Sequence, residues 1–101
     1  MTIEPKALQE KLAGPNPPLL VDVRMPHEAQ MFGSIEGGKL IPMNDLPMRV
    51  GELPEDREVV LYCKSGMRSG NAAVWLRQRG RNAFSLQGGL DQWRALGLPV
   101  K

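Results

Sequence analysis

The sequence predicts an α/β domain with a mostly parallel central sheet and helices on both faces. Three observations carry that expectation. Short apolar runs that read as strands alternate along the chain with segments of helical spacing. One run, Val59-Val60-Leu61-Tyr62, is apolar without alternation, as strands buried on both faces of a parallel sheet are. The 101 residues contain no internal repeat, low-complexity tract or dividing linker, so one domain spanning 1–101 is expected.

Taken in order, Thr2-Ile3 predicts a short edge strand. A helix follows, with Pro5 in its first turn and Gly14 at its end. Ala7, Leu8 and Leu12 give it an apolar side; Lys6, Glu10 and Lys11 face water. Pro15-Asn16-Pro17-Pro18 reads as a rigid surface connection rather than a polyproline ligand for a partner. Leu19-Leu20-Val21-Asp22-Val23 is the second strand. A carboxylate inside it is costly unless paired, and Arg24, two residues on, lies on the same face. Met25-Pro26 opens a short helix reaching Phe32, across whose first turn Arg24 and Glu28 can meet. Asp22, Arg24 and Glu28 therefore read as a polar network that supports the strand end. His27, beside a proline at a helix start, reads as solvated surface rather than a general base.

Asn44-Asp45 is expected to cap a helix with Pro47 in its first turn. That helix carries Leu46, Val50 and Leu53 and stops at Pro54, and Glu55-Asp56-Arg57-Glu58 makes a charged turn before the strand 59–62. Asn71-Ala72-Ala73-Val74-Trp75-Leu76 sets a helical pattern that ends at Gly80, its two alanines allowing close approach to the sheet. Arg77, Arg79 and Arg81 gather at its far end, where cations suit a helix C-terminus. Asn82–Leu86 is the last strand. Gln87-Gly88-Gly89 then turns into a helix holding Leu90, Trp93 and Leu96, closed by Gly97 and Pro99.

The chemistry concentrates at Cys63-Lys64-Ser65-Gly66-Met67-Arg68-Ser69. The chain's only cysteine stands where the buried strand ends and a turn leads into a helix, which is where ligands bind in open parallel sheets. A lone cysteine is often a small buried hydrophobe, but such a residue has no need of two bases, two hydroxyls and a glycine beside it. Gly66 permits positive φ, successive turn amides make an anion-binding concavity, and a helix N-terminus adds about half a positive charge. Lys64 and Arg68 bring cations, and Ser65 and Ser69 hydroxyls. All favour thiolate over thiol. Cys63 reads as a nucleophile in an anion cradle.

Thirteen bases against eleven acids, scattered to a net +2, do not form the one-sided basic face of a nucleic-acid binder. No apolar run approaches the ~20 residues that cross a membrane. One cysteine forms no internal disulfide and no two-cysteine zinc spacing, and a free thiol fits a reducing, cytoplasmic setting. No metal or cofactor is implied.

Cys63 through Arg68 is a C-x4-R loop followed by Ser69, and it resembles the active-site loop of single-domain rhodaneses. The likeness extends to Asp22-Val23-Arg24 with Glu28, to Gly33-x-Ile35-x-Gly37 running to Ile41-Pro42, and to Gln87-Gly88-Gly89-Leu90 with Trp93. The resemblance implies a three-layer rhodanese fold and a Cys63 that carries sulfane sulfur as a persulfide. It implies a small anionic donor such as thiosulfate, and a thiol, protein or (in assay) cyanide as acceptor. Lys64, Ser65, Gly66, Met67, Arg68 and Ser69 would bind the donor, and Asp22, Arg24 and Glu28 would support the loop. The chain departs from the family's common pattern at Ser34, Glu36, Gly38 and Lys39, which puts the lining beside the cysteine loop in question. Cysteine-dependent phosphatases and arsenate reductases also place an arginine after their cysteine. Their C-x5-R loop is one residue longer, wide enough for tetrahedral phosphate. A non-catalytic binding module of the same fold is the alternative from another class, and such modules often lack the cysteine.

Overall fold

A computed structural model of the chain describes residues 1–101. Five parallel strands form one sheet in the order β1-β5-β4-β2-β3: β1 (Thr2–Ile3), β2 (Leu19–Asp22), β3 (Lys39–Leu40), β4 (Glu58–Tyr62) and β5 (Asn82–Leu86). The helices are α1 (Pro5–Leu12), α2 (Pro26–Phe32), α3 (Leu46–Arg49), α4 (Met67–Arg77) and α5 (Gly89–Ala95). β4 is the central strand, paired with β2 from Leu19↔Val59 to Asp22↔Tyr62 and with β5 from Glu58↔Asn82 to Leu61↔Ser85.

Because successive strand side chains point to opposite faces, β4 feeds two separate cores. Val59, Leu61 and Cys63 pack with Val21, Val23 and Ala83 under α3 and α4, whose Leu46, Ala72, Ala73 and Leu76 complete that cluster. Val60 and Tyr62 pack with Leu20 and Leu86 against Leu8 of α1 and Leu90 and Trp93 of α5. Helices therefore cover both faces, as the alternation of elements predicted. No helix is long and apolar enough to cross a membrane.

Three local expectations need correction, and one strand, β3, was not foreseen. β3 has no apolar run of its own; it forms because Lys39 and Leu40 continue the ladder beside Val21 and Asp22. The helix expected after Asn44-Asp45 is broken into a 3-10 turn over Met43–Asp45, the four-residue α3, and a second 3-10 turn over Val50–Glu52. Asp45 makes no side-chain cap there, since its own backbone is already helical. β2 ends at Asp22, one residue before Val23. Finally, α4 begins at Met67, inside the cysteine loop, rather than near Asn71. The arginines at its far end act through specific carbonyls: Arg77 donates to Ala83, Arg79 to Trp75, and Arg81 to Leu53, Val50 and Arg79.

Candidate active site

Cys63 follows the last residue of β4, and the chain turns back over it within three residues to start α4. Gly66 makes the turn with φ of 103°, a conformation that side chains resist. Its amide donates to Cys63 Sγ at 3.1 Å. The first turn of α4 leaves amides without helical partners, and that of Ser69 donates to the same sulfur at 3.4 Å. Ser69 Oγ lies 3.5 Å from the sulfur and 2.7 Å from Ser85 Oγ on β5. The sulfur thus occupies the focus of the loop and the end of an eleven-residue helix dipole. Burial pushes the thiol up. The Ser69 hydroxyl and the amides of Ser69, Gly66 and Arg68 outweigh it and hold the Cys63 pKa below the ordinary thiol value.

From the other side α5 holds the loop's carbonyls. Leu90 N–H donates to the Cys63 carbonyl at 2.9 Å and Asp91 N–H to that of Lys64 at 3.0 Å. Gly89 makes this approach possible: a Cβ there would stand 2.5 Å from the Lys64 oxygen and 2.7 Å from that of Cys63. The Gly-Gly turn does border the site.

The basic residues are placed differently from expectation. Arg24 does not meet Glu28. It donates through Nε and Nη2 to Asp22 at 2.9 and 2.7 Å, and through Nη2 to the Gly33 carbonyl at 2.9 Å. Asp22 also accepts from the Tyr62 hydroxyl, which in turn accepts the Ile35 amide. Arg24 is 1% exposed, and its Nη1 has no hydrogen-bond partner. Glu28 instead takes both terminal nitrogens of Arg68 at 2.8 Å, forty residues away in sequence. That fork holds the Glu28 carboxyl down at about 2, against burial and with help from the Met25 amide. Lys64 reaches Asp91 at 3.1 Å on the surface. Each base near the sulfur is therefore matched by an acid: Arg24 by Asp22, Arg68 by Glu28, Lys64 by Asp91. These pairings weaken the pull of the cations, and the amide cradle and the dipole of α4 carry most of the attraction for an anion.

Ser65 and Met67 are exposed on the loop and make no hydrogen bond through their side chains. Ser34 alone of the four departures touches this network, accepting from Arg24 Nη2 at 3.4 Å. Glu36 and Gly38 are exposed, and Lys39 pairs with Glu52 on the surface. Sequence reasoning missed Ser85 and Asp91. The signal for Ser85 was a hydroxyl among Ala83, Phe84 and Leu86, at the strand position that faces α4. Asp91 gave none, since an acid in a helix's first turn is ordinary.

The geometry suits a nucleophilic sulfur that holds a small anionic or polarisable group against backbone amides. Comparison with known proteins agrees. Residues 4–96 match the family model for a rhodanese-like domain. The chain is 40% identical over 99 residues to a sulfurtransferase of Allochromatium vinosum, a match that covers 97% of this chain and 92% of that one. It is 35% identical to YtwF, a putative sulfurtransferase of Bacillus subtilis, over 90% of this chain and 87% of the other. A rhodanese-related protein of Thermoplasma volcanium superposes with a TM-score of 0.90 at 32% identity, over 99% and 96% of the two chains.

Proposed function

The chain belongs to the rhodanese-like domain family, and on that footing we propose that it moves sulfane sulfur from thiosulfate or a similar donor to a thiophilic acceptor through a persulfide on Cys63. The relatives named as sulfurtransferases support a transferase of that type. The observation that carries the persulfide reading is Cys63 Sγ, buried at the end of β4 and met by two amides and a hydroxyl.

The cycle has two displacements. The Cys63 thiolate attacks the outer sulfur of thiosulfate; the new S–S bond forms as the donor's own S–S bond breaks, and sulfite leaves with that electron pair. An acceptor nucleophile, a thiolate or cyanide, then attacks the outer persulfide sulfur, and the Cys63 thiolate departs with the electrons. Loop amides aimed at the sulfur stabilise the anionic forms without reorganising, because the turn and the helix fix them beforehand. Arg68 and Lys64, each neutralised by a carboxylate, steer the donor less than two free cations would.

Four residues between Cys63 and Arg68 leave a tighter ring than the phosphatase loop, so aryl phosphate cleavage should be negligible beside sulfur transfer. The deciding experiment is intact mass after incubation with thiosulfate. One sulfur atom should be gained, removed again by a reducing thiol, and Cys63→Ser should stay folded and gain nothing. Sulfur uptake by the serine variant overturns the assignment.

A further inference from the structure

We propose that Ser85 is a positioning residue for this reaction: its hydroxyl donates to Ser69 and thereby commits the Ser69 proton to the Cys63 sulfur. The inference rests on the sulfur-transfer reading for its purpose, but on hydrogen-bond accounting for its content.

Ser69 and Ser85 are both buried, at 0% and 2% exposure, so each hydroxyl must find its partners within the protein. Ser85 Oγ has one, Ser69 Oγ, at 2.7 Å. Ser69 Oγ has three: Ser85 Oγ, Cys63 Sγ at 3.5 Å and the Gly66 carbonyl at 3.3 Å. A hydroxyl carries one proton. If Ser69 spent its proton on Ser85, the Ser85 proton would point at nothing, and a buried donor without an acceptor is costly. Ser85 must therefore donate to Ser69. The Ser69 proton is left to choose between the thiolate and the Gly66 carbonyl. Both acceptors already take amides, the carbonyl that of Gly70 and the sulfur those of Gly66 and Ser69, so charge decides: a bond to a charged acceptor is roughly twice as strong as a neutral one. The proton goes to sulfur.

The relay runs in one direction, from the Ser85 hydroxyl to Ser69 to the Cys63 sulfur. The short bond also anchors the Ser69 oxygen, whose alternative is the back-bond to its own helix that serine commonly makes. β5 thus acts on the sulfur without touching it, through a residue at the same face as Ala83. The charged groups around the sulfur are Arg68 of α4 with Glu28 of α2, the Asp22–Arg24 pair at the end of β2, and Lys64 held by Asp91 of α5. None hydrogen-bonds to the Ser85 hydroxyl, so its removal leaves their pairings in place.

The test is the pH dependence of Cys63 alkylation by iodoacetamide in the folded protein, which reads the thiolate and does not depend on sulfur transfer. Polarisation along a hydroxyl chain strengthens each bond by roughly 10–30%, so Ser85→Ala should raise the alkylation midpoint by about a few tenths of a pH unit. Ser69→Ala should raise it further, and the double variant should match Ser69→Ala alone. Ser85→Thr keeps the hydroxyl and should keep the native midpoint. An unchanged midpoint in Ser85→Ala, or additive shifts in the double variant, would overturn the relay. The sulfur-transfer reading fails separately, through the thiosulfate mass experiment.

Discussion

At the scale of single residues, the site is built from acid–base pairs whose members come from different elements. The Arg68–Glu28 pair shows what that arrangement is worth. Arg68 holds Glu28 at about 2, below its ordinary 4.5, so the pair contributes its full stability above about 4.5 and loses it as pH falls toward about 2. Arg68 is 39% exposed, and solvent screening leaves on the order of 1 kcal/mol. Glu28→Gln should therefore unfold at lower urea concentration at neutral pH, with the gap to the native protein narrowing as pH drops through that window. Arg68→Lys keeps the charge and loses the fork, and should reduce kcat because the first turn of α4 is no longer tied to α2. Lys64 and Asp91 make an opposed pair of predictions. Lys64→Ala should raise KM for thiosulfate, whereas Asp91→Asn, which frees the ammonium, should lower it. Both effects should shrink when salt shortens the Debye length below ~8 Å. Steady-state kinetics at two ionic strengths checks the signs; equal shifts in one direction would mean that Lys64 plays no part in donor capture.

At the scale of elements, the site depends on two helix N-termini meeting at one strand end. α4 supplies amides to the sulfur, and α5 supplies amides to the carbonyls of Cys63 and Lys64. Gly89 is the contact between them. Gly89→Ala would place a methyl group against the backbone of Cys63 and Lys64, at φ of 60°, so the cysteine loop cannot yield cheaply. It should cost at least about 2 kcal/mol, and the midpoint of Cys63 alkylation should move toward an ordinary thiol as α5 withdraws. The start of α4 matters equally. Met67 and Arg68 are already helical, so a glycine inserted between them rotates the remainder of the helix by about 100° or pushes the loop outward. Either outcome takes the Ser69 amide or the Gly66 amide off the sulfur, and sulfur transfer should be lost. The early start of α4 was not legible in the sequence, because its first residues show no apolar period; the sulfur, rather than packing, satisfies that turn. β3 was illegible for the same kind of reason. Two residues without β-branched character become a strand only because β2 offers an unpaired edge.

At the scale of the molecule, the alternation of strand and helix, the central apolar β4 and the strand-end cysteine were all legible, since each follows from local pattern and the period of two. The pairing of charges was not. Glu28 with Arg68 and Lys64 with Asp91 join residues 40 and 27 positions apart, and only the folded sheet brings them together. That sheet also divides the stabilising contacts into two layers. Cys63 belongs to the layer under α3 and α4, while Leu8 of α1 lies in the layer on the other face. Leu8 is fully buried, so Leu8→Ala should cost about 2–5 kcal/mol. Because β4 contributes side chains to both layers, neither can unfold alone, and the loss should appear as a lower urea midpoint with an unchanged m-value. Within the population that stays folded, the sulfur keeps its amides, Ser69 and Ser85, all of which lie on the far side of the sheet from Leu8. The pH midpoint of alkylation should therefore match the native protein's even as stability falls. Ala72 offers the contrast: it packs in the same layer as Cys63, on the helix whose first turn holds the sulfur. Enlarging it with Ala72→Leu should lift α4 from the sheet, costing about 1–3 kcal/mol through overpacking and raising the alkylation midpoint as well. Equal alkylation midpoints in the two variants would mean that the cysteine loop holds its geometry independently of the layer beneath it.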